Sequence, residues 1–320
     1  MAHSAKCLAL VVASIALAAP SFAAERPDWA YPVNPPGRPP IPDDGKTQCV
    51  PDSTVALTRT QIAAITTQVP DWHPEEHPAM PAIVAKGRAP QVFACGYCHL
   101  PNGAGRPENA SLAGLTAAYI TQQTLAFRSG DRPGSEPARL PQTIMIALAK
   151  GATDAELAEA AAYFAALKPA SFVKVVETAD VPKTVVDGWM LTRAPAGGME
   201  PIGNRIVEIA EDFERFENRD SRTPYVAFVP VGSLKRGADL VATGGGKTLP
   251  CTACHGPELK GQVDVPRLAG RSPSYLIRQL HDLQHSTRRG KATELMQLVV
   301  ANLTEADMVA LGAYLASREP

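Results

Sequence analysis

The sequence predicts a mainly α-helical fold: two helical domains in tandem, a Pro-rich N-terminal arm before them, and a small β-containing segment between them. Three observations lead there. A shift of 156 residues lays Cys95 on Cys251, Leu112-Ala113-Gly114 on Leu268-Ala269-Gly270, Tyr119 on Tyr275 and Gln123 on Gln279, which makes an internal repeat. Each copy ends in a helix signature. Thr153-Asp154-Ala155-Glu156 and Thr304-Glu305-Ala306-Asp307 resemble capping boxes. The apolar residues that follow recur at helical spacing: Leu157, Ala161, Phe164 and Leu167, then Met308, Leu311, Tyr314 and Leu315. Between the copies, Val173, Val175 and Val176, then Ile206 to Ile209, then Tyr225 to Val229 are β-prone and broken by Pro and Gly.

The 320 residues are 45% hydrophobic and 20% charged, a globular mix long enough for two domains. Lys and Arg number 31 against 32 Asp and Glu. A chain this near neutrality has no sequence-wide basic field for a phosphate backbone, which argues against nucleic acid as a partner. Residues 1–23 have the layout of a secretory signal: Lys6, an apolar run from Leu8 to Ala19, then small residues Ser21 and Ala23 placed for cleavage near Ala23. The run of 12 residues falls short of the roughly 20 that a spanning helix needs. The expected mature chain is therefore exported, and meets a membrane only through a partner. We divide the rest into an arm (24–80), a first domain (81–170), an inter-domain segment (171–236) and a second domain (237–320).

Cys95-Gly96-Tyr97-Cys98-His99 and Cys251-Thr252-Ala253-Cys254-His255 both read C-x-x-C-H, the attachment signature of c-type haem. Two cysteines three apart on a helical turn each form a thioether to one haem vinyl group, and the next residue projects its imidazole at the iron. Zinc bound by four thiolates leaves the repeated histidine unexplained. A thioredoxin-like redox pair does not come in duplicate with His attached. Two covalently attached haem c groups are expected, with His99 and His255 as iron ligands.

The second axial ligands follow from the repeat. Met145 stands eight residues before Thr153, and Met296 eight before Thr304. A methionine at one fixed distance from the terminal helix in both copies is the expected partner of His on the iron. Met308 lies inside an apolar stripe, Met190 and Met199 lie between the domains, and Met80 lies in a Pro-rich approach. His73 and His77 are four apart, but Pro74 and Pro78 disfavour a regular helix there. His281 and His285 share a helix face and are read as surface residues or neighbours of the haem propionates.

The run C-x-x-C-H, Pro266-Arg267-Leu268-Ala269-Gly270, Tyr275-Leu276, Gln279-Leu280, then Met296 before a terminal helix resembles a class I cytochrome c domain. Two such domains in tandem resemble the dihaem c-four type of periplasmic cytochrome, over 95–168 and 237–317. The resemblance implies an all-α fold for each domain, His/Met ligation and electron transfer. It also implies that the Pro266 backbone carbonyl orients His255 through its ring N–H. The first copy carries Ala110 at that place. It is also longer between His and Met, 46 residues against 41, which puts an extra loop near Asp131 to Pro141.

Residues 24–80 read as an extended arm or a partly disordered tail. Cys49 in it is expected to be a buried small residue, a free thiol or an alternative iron ligand. Residues 171–236 are too long for a plain linker and are expected to be structural packing or a docking surface. The function expected is a periplasmic dihaem carrier of single electrons with no catalytic residues. Its partners would be a dehydrogenase or quinol-oxidising complex and a terminal acceptor such as an oxidase. The alternatives are a cytochrome subunit of a dehydrogenase complex, or a dihaem enzyme (peroxidase or thiosulfate dehydrogenase).

Overall fold

The structure is a computed structural model that describes residue 1, residues 26–37 and residues 42–320. The expected signal with its cleavage near Ala23, and the Pro39-Pro40 pair of the arm, lie outside the described residues.

Each sequence copy folds as a helical unit. The first runs through helices Ala82–Ala85, Cys95–His99, Ala117–Ser129, Leu140–Gly151 and Asp154–Ala166. The second runs through Ser233–Thr243, Thr252–His255, Pro273–Gln284, Glu294–Val300 and Glu305–Ala316. Helix starts are set by short polar side chains. Thr116 accepts from the Tyr119 N–H, and Ser272 accepts from the Tyr275 N–H with Pro273 in the first turn. Both terminal helices open on the expected capping boxes, Thr153 with Glu156 and Thr304 with Asp307. No single helix among the described residues is long and apolar enough to cross a membrane.

The first unit closes around Ile83, Val84, Val92, Leu115, Ile120 and Phe164. The second does not close alone. Its Leu240, Ile277, Met308 and Leu311 share one core with Ile206, Phe216, Tyr225 and Val229 of the inter-domain segment, and with Tyr31 of the arm. Where helix Ser233–Thr243 crosses helix Glu305–Ala316, Gly237 is the contact. A Cβ there would stand 2.1 Å from the Ala310 carbonyl oxygen and 2.5 Å from the Tyr314 Cβ.

The inter-domain segment forms the β structure expected of it. Val173–Glu177 pairs parallel with Tyr225–Val229, which pairs antiparallel with Val207–Ala210, giving a three-stranded sheet with Tyr225–Val229 at its centre. Asp180–Pro182 pairs with Met199–Pro201, and Thr184–Asp187 with Met190–Arg193. The latter pair is a hairpin that turns through Gly188 and Trp189, both with positive φ (59° and 66°), the conformation that a two-residue turn of matching twist requires.

Three expectations are corrected here. The arm is more than an extended strip: Thr47–Gln48 pairs with Leu57–Thr58, and Val50, Leu57, Ile62 and Trp72 form a small core. Four apolar residues suffice because Trp72 also donates its indole N–H to the Asn218 carbonyl at 2.7 Å, and buried His73 meets Asp220 at 3.0 Å. Cys49 is exposed within this arm and does not line the first cavity, so it is not a buried small residue. His281 is not a surface residue. It is 6% exposed, with its ring stacked on that of His285 at 4.0 Å, because the second unit's helix Pro273–Gln284 is covered by the arm and by the first unit.

Asp307 ties the second terminal helix to its neighbours. Its carboxylate, 1% exposed, accepts from Lys247 Nζ and Arg236 Nη2 at 2.6 Å each and from the Thr304 N–H and hydroxyl. Burial opposes the charge, but the bonds from Lys247, Thr304 and Arg236 outweigh it and hold Asp307 well below the usual carboxylate range.

Two predictions follow from this packing. Gly237→Ala should destabilise the protein by about 1–3 kcal/mol in urea unfolding, since the added methyl has no space at the helix crossing. Asp307→Asn should lose about 1–3 kcal/mol at pH 7, the range for hydrogen bonds to a charged group. A depressed carboxylate stabilises fully above its unfolded value of about 3.9 and less as pH falls below it. The difference between wild type and variant should therefore shrink in urea melts run from pH 5 down to pH 3.

Candidate functional site

Both C-x-x-C-H motifs form single helical turns, Cys95–His99 and Thr252–His255. None of the four cysteines is paired in a disulfide. Burial raises Cys95 to about 12 and Cys251 to about 11, so these thiols stay protonated in the bare chain.

The two histidines are held identically. His99 donates its Nδ1–H to the Ala110 carbonyl and His255 to the Pro266 carbonyl, each at 2.8 Å. Burial lowers the pKa of both imidazoles. Each is therefore neutral, with the Nε2 lone pair free for a metal. The loop that carries the carbonyl is pinned the same way in both copies. Arg106 and Asn109 exchange two backbone bonds, as do Gln262 and Val265, again 156 residues on. Ala110 thus sits in a loop as restrained as that of Pro266. The loops approach the attachment turns through Gly105 and Gly261, at φ 69° and 83°. A Cβ there would lie 2.5 Å from the Ala110 oxygen and 2.7 Å from the Val265 oxygen.

In the first unit the turn faces a cavity with about 1420 Å³ of empty space including its mouth. Cys95, Cys98, His99 and Met145 all line it, with apolar walls from Ile83, Leu115, Ile120, Leu148 and Phe164. The chemistry fits a large flat apolar cofactor: two thiols, an oriented neutral imidazole, and a thioether from helix Leu140–Gly151. In the second unit His255 is 6% exposed, and Cys251 and Met296 both pack on the edge of its core. Met80, Met190, Met199, Met308, His73, His77 and His285 do not line the first cavity.

The first cavity is not walled by its own unit alone. Arg271, Tyr275, Arg278, Gln279 and Asp282 of the second unit complete it, beside Arg132 and Arg139 of the first. Across the seam the repeat acts as a local two-fold. Arg132 bonds Gln123 of its own unit and Gln279 of the other. Arg288, 156 residues on, bonds Gln279 of its own unit and both Gln123 and Tyr119 of the other. Tyr119, Tyr275, Gln123 and Gln279 were visible in the repeat. The arginines were missed, although the pair 132/288 obeys the same shift.

The inter-domain segment covers the first attachment turn. The Arg219 guanidinium lies 3.6 Å over the Tyr97 ring and donates to the Tyr97 carbonyl at 2.7 Å. Arg106 lies 3.7 Å over Phe216. At the second turn the corresponding residue, Ala253, is exposed.

The cytochrome c family pattern matches residues 234–319. Cytochrome c-554(548) of Halomonas halodenitrificans is 32% identical over 89 residues, 28% of this chain and 99% of that protein. Cytochrome c4 of Azotobacter vinelandii is 30% identical over 97 residues, 28% of this chain but only 46% of that protein, so this match spans less than half of that relative. The solved as-isolated structure of thiosulfate dehydrogenase (TsdBA) from Marichromatium purpuratum aligns with 74% of this chain and 39% of its own, at 28% identity and a TM-score of 0.50. The chain belongs to the cytochrome c family, whose cofactor is covalently bound haem c, and has the tandem architecture of its dihaem class I members.

Proposed function

We propose that this chain is an exported dihaem electron carrier, passing single electrons from a dehydrogenase or quinol-oxidising complex to a terminal acceptor. The observation that supports it best is the convergence of Cys95, Cys98, His99 and Met145 on one cavity, with Cys251, Cys254, His255 and Met296 at the matching places of the second unit. When bound, haem c supplies one-electron cycling between Fe(III) and Fe(II). The chain's part is to hold it by two thioethers per motif and to present His99 and His255 by Nε2. Met145 and Met296 would supply the remaining ligands through their thioethers, which would close the iron to small ligands and favour the reduced state. Partner contacts of such a carrier are small and transient.

A second reading has one observation in its favour. The structural likeness to thiosulfate dehydrogenase runs across 74% of the chain, which supports a cytochrome subunit working within a dehydrogenase complex. Co-purification of a stoichiometric partner would favour the subunit.

The test is a spectroelectrochemical titration of the purified haem-loaded protein. Two haems at positive potential, each with the weak far-red band of methionine-ligated ferric haem and neither changed by carbon monoxide or peroxide, are expected. Met145→Ala and Met296→Ala should each remove about half of that band, lower the potential of one haem and open it to carbon monoxide. A wild-type haem that binds carbon monoxide would undo the methionine assignment at that site.

A further inference from the structure

The two attachment turns share their chemistry but not their surroundings. Arg219 of the inter-domain segment stacks its guanidinium on the Tyr97 ring at 3.6 Å and donates to the Tyr97 carbonyl at 2.7 Å. Tyr97 stands between Cys95 and Cys98, next to the second thioether position. The matching residue of the second turn, Ala253, is exposed. Arg219 has a φ of 57°, in the left-handed region that a residue with a Cβ enters unfavourably. Bonds on both sides keep the segment in that shape. From the arm, Arg59 donates to the Asn218 side-chain oxygen and Trp72 to the Asn218 carbonyl, each at 2.7 Å. The buried Asp220 carboxylate meets His73 at 3.0 Å and Arg215 at 2.6 Å. From the first unit, Arg106 lies 3.7 Å over Phe216, and Asn102 donates to the Ser221 carbonyl at 3.4 Å. A strained residue held so firmly points to a use for its side chain.

The other charges of this region are matched. Buried Arg106 pairs with buried Glu108 at 3.0 Å. Asp220 is shared by His73 and Arg215, and Arg222 pairs with Glu75 and Glu76 at 3.2 and 2.7 Å. Asp212 and Glu214 are exposed, where solvent and salt screen them. The Arg219 guanidinium instead faces a ring and a carbonyl oxygen, and it keeps its proton across the working pH range.

We propose that Arg219 sets the potential of the first haem: its positive charge, laid on the first attachment turn by the inter-domain segment, raises that haem's reduction potential and draws the electron toward it. The proposal rests on reading both C-x-x-C-H motifs as haem attachment sites. Reduction removes one positive charge from the iron, so a cation fixed nearby favours the reduced state, the more so where water is excluded. The same pair of axial ligands, His and Met, is read in both copies, so ligation does not set the haems apart. The insertion does. Its guanidinium reaches one attachment turn, while the other turn is open to solvent at Ala253.

The test compares midpoint potentials of the dihaem protein carrying Arg219→Gln, Arg219→Asn or Arg219→Lys with those of wild type. Haem-methyl NMR signals tell the haems apart, the first haem's being those that Met145→Ala displaces. Gln can still donate to the Tyr97 carbonyl, and Asn tolerates a positive φ, so the two remove the charge with different demands on the backbone. In both, the reduced-to-oxidised ratio of the first haem at a fixed ambient potential should fall about three- to tenfold, tenfold being 59 mV for one electron. The fall should be the same at pH 6 and pH 9, because the guanidinium does not titrate there. The second haem should move less, and Arg219→Lys should keep most of the wild-type value. A first haem unmoved in both neutral variants would overturn the proposal. So would a fall in Arg219→Lys as large as in Arg219→Gln, or equal falls at both haems, the signatures of a loosened cover. The attachment reading is judged separately, by counting covalent haems per wild-type chain: fewer than two undoes it, whereas the role of Arg219 is decided by differences between variants and wild type.

Discussion

Each unit is organised around one constraint: a neutral imidazole has to be held in one direction, in the first unit toward a large apolar cavity that side chains do not fill. The bond from the histidine Nδ1–H to a backbone carbonyl, 2.8 Å in both copies, meets that constraint. It fixes the tautomer and the ring's direction together. For the carbonyl to be in place, the loop eleven residues on has to fold back on the attachment turn, and this dictates the glycines at 105 and 261. The same loop then delivers the chain to the capped helices Ala117–Ser129 and Pro273–Gln284. The capped terminal helices close the opposite wall. A unit of this size has little apolar core of its own, so a cavity-filling cofactor tethered by thioethers is part of the core rather than a guest in it.

The two units answer the constraint with the same parts but in different surroundings. The first closes its own core and is then covered: Arg219 over Tyr97, Arg106 over Phe216, and the second unit's arginines along the cavity. The second unit merges its core with the inter-domain sheet and the arm, and its attachment turn is left open at Ala253. The segment 171–236 thus does two jobs at once. Its sheet completes the second unit's core, and Phe216 of its helix Phe213–Glu217 and the following Arg219 reach the first unit at Arg106 and Tyr97. The asymmetry is built by insertion, not by divergence of the attachment machinery.

Much of this was legible in the sequence because it is local. C-x-x-C-H, the Thr–Glu and Thr–Asp capping boxes, Ser272-Pro273 and the β-prone runs each act within a few residues, and each forms the element its spacing implies. The place of Met145 on the first cavity was legible because the repeat supplies a second reading of the same position. The small core of the arm was not, since Val50, Leu57, Ile62 and Trp72 have no period and meet only because Trp72 and His73 are anchored on Asn218 and Asp220, nearly 150 residues away. The burial of His281 was missed for the same reason: a helix face says nothing of which unit will cover it.

By itself, then, the sequence determined the cofactor chemistry, the tandem helical units and the β character between them. Those depend on covalent spacing, hydrogen bonds within a turn and side-chain periodicity. Only the tertiary structure decided which surfaces meet. It set six arginines from both units in one buried seam, carried the second unit's α-helical face into the first unit's cavity, and laid the inter-domain segment over one attachment turn and not the other. Charge burial and shared cavities are properties of pairs of residues far apart in the chain, and their sign and magnitude do not exist until the fold has brought those residues together.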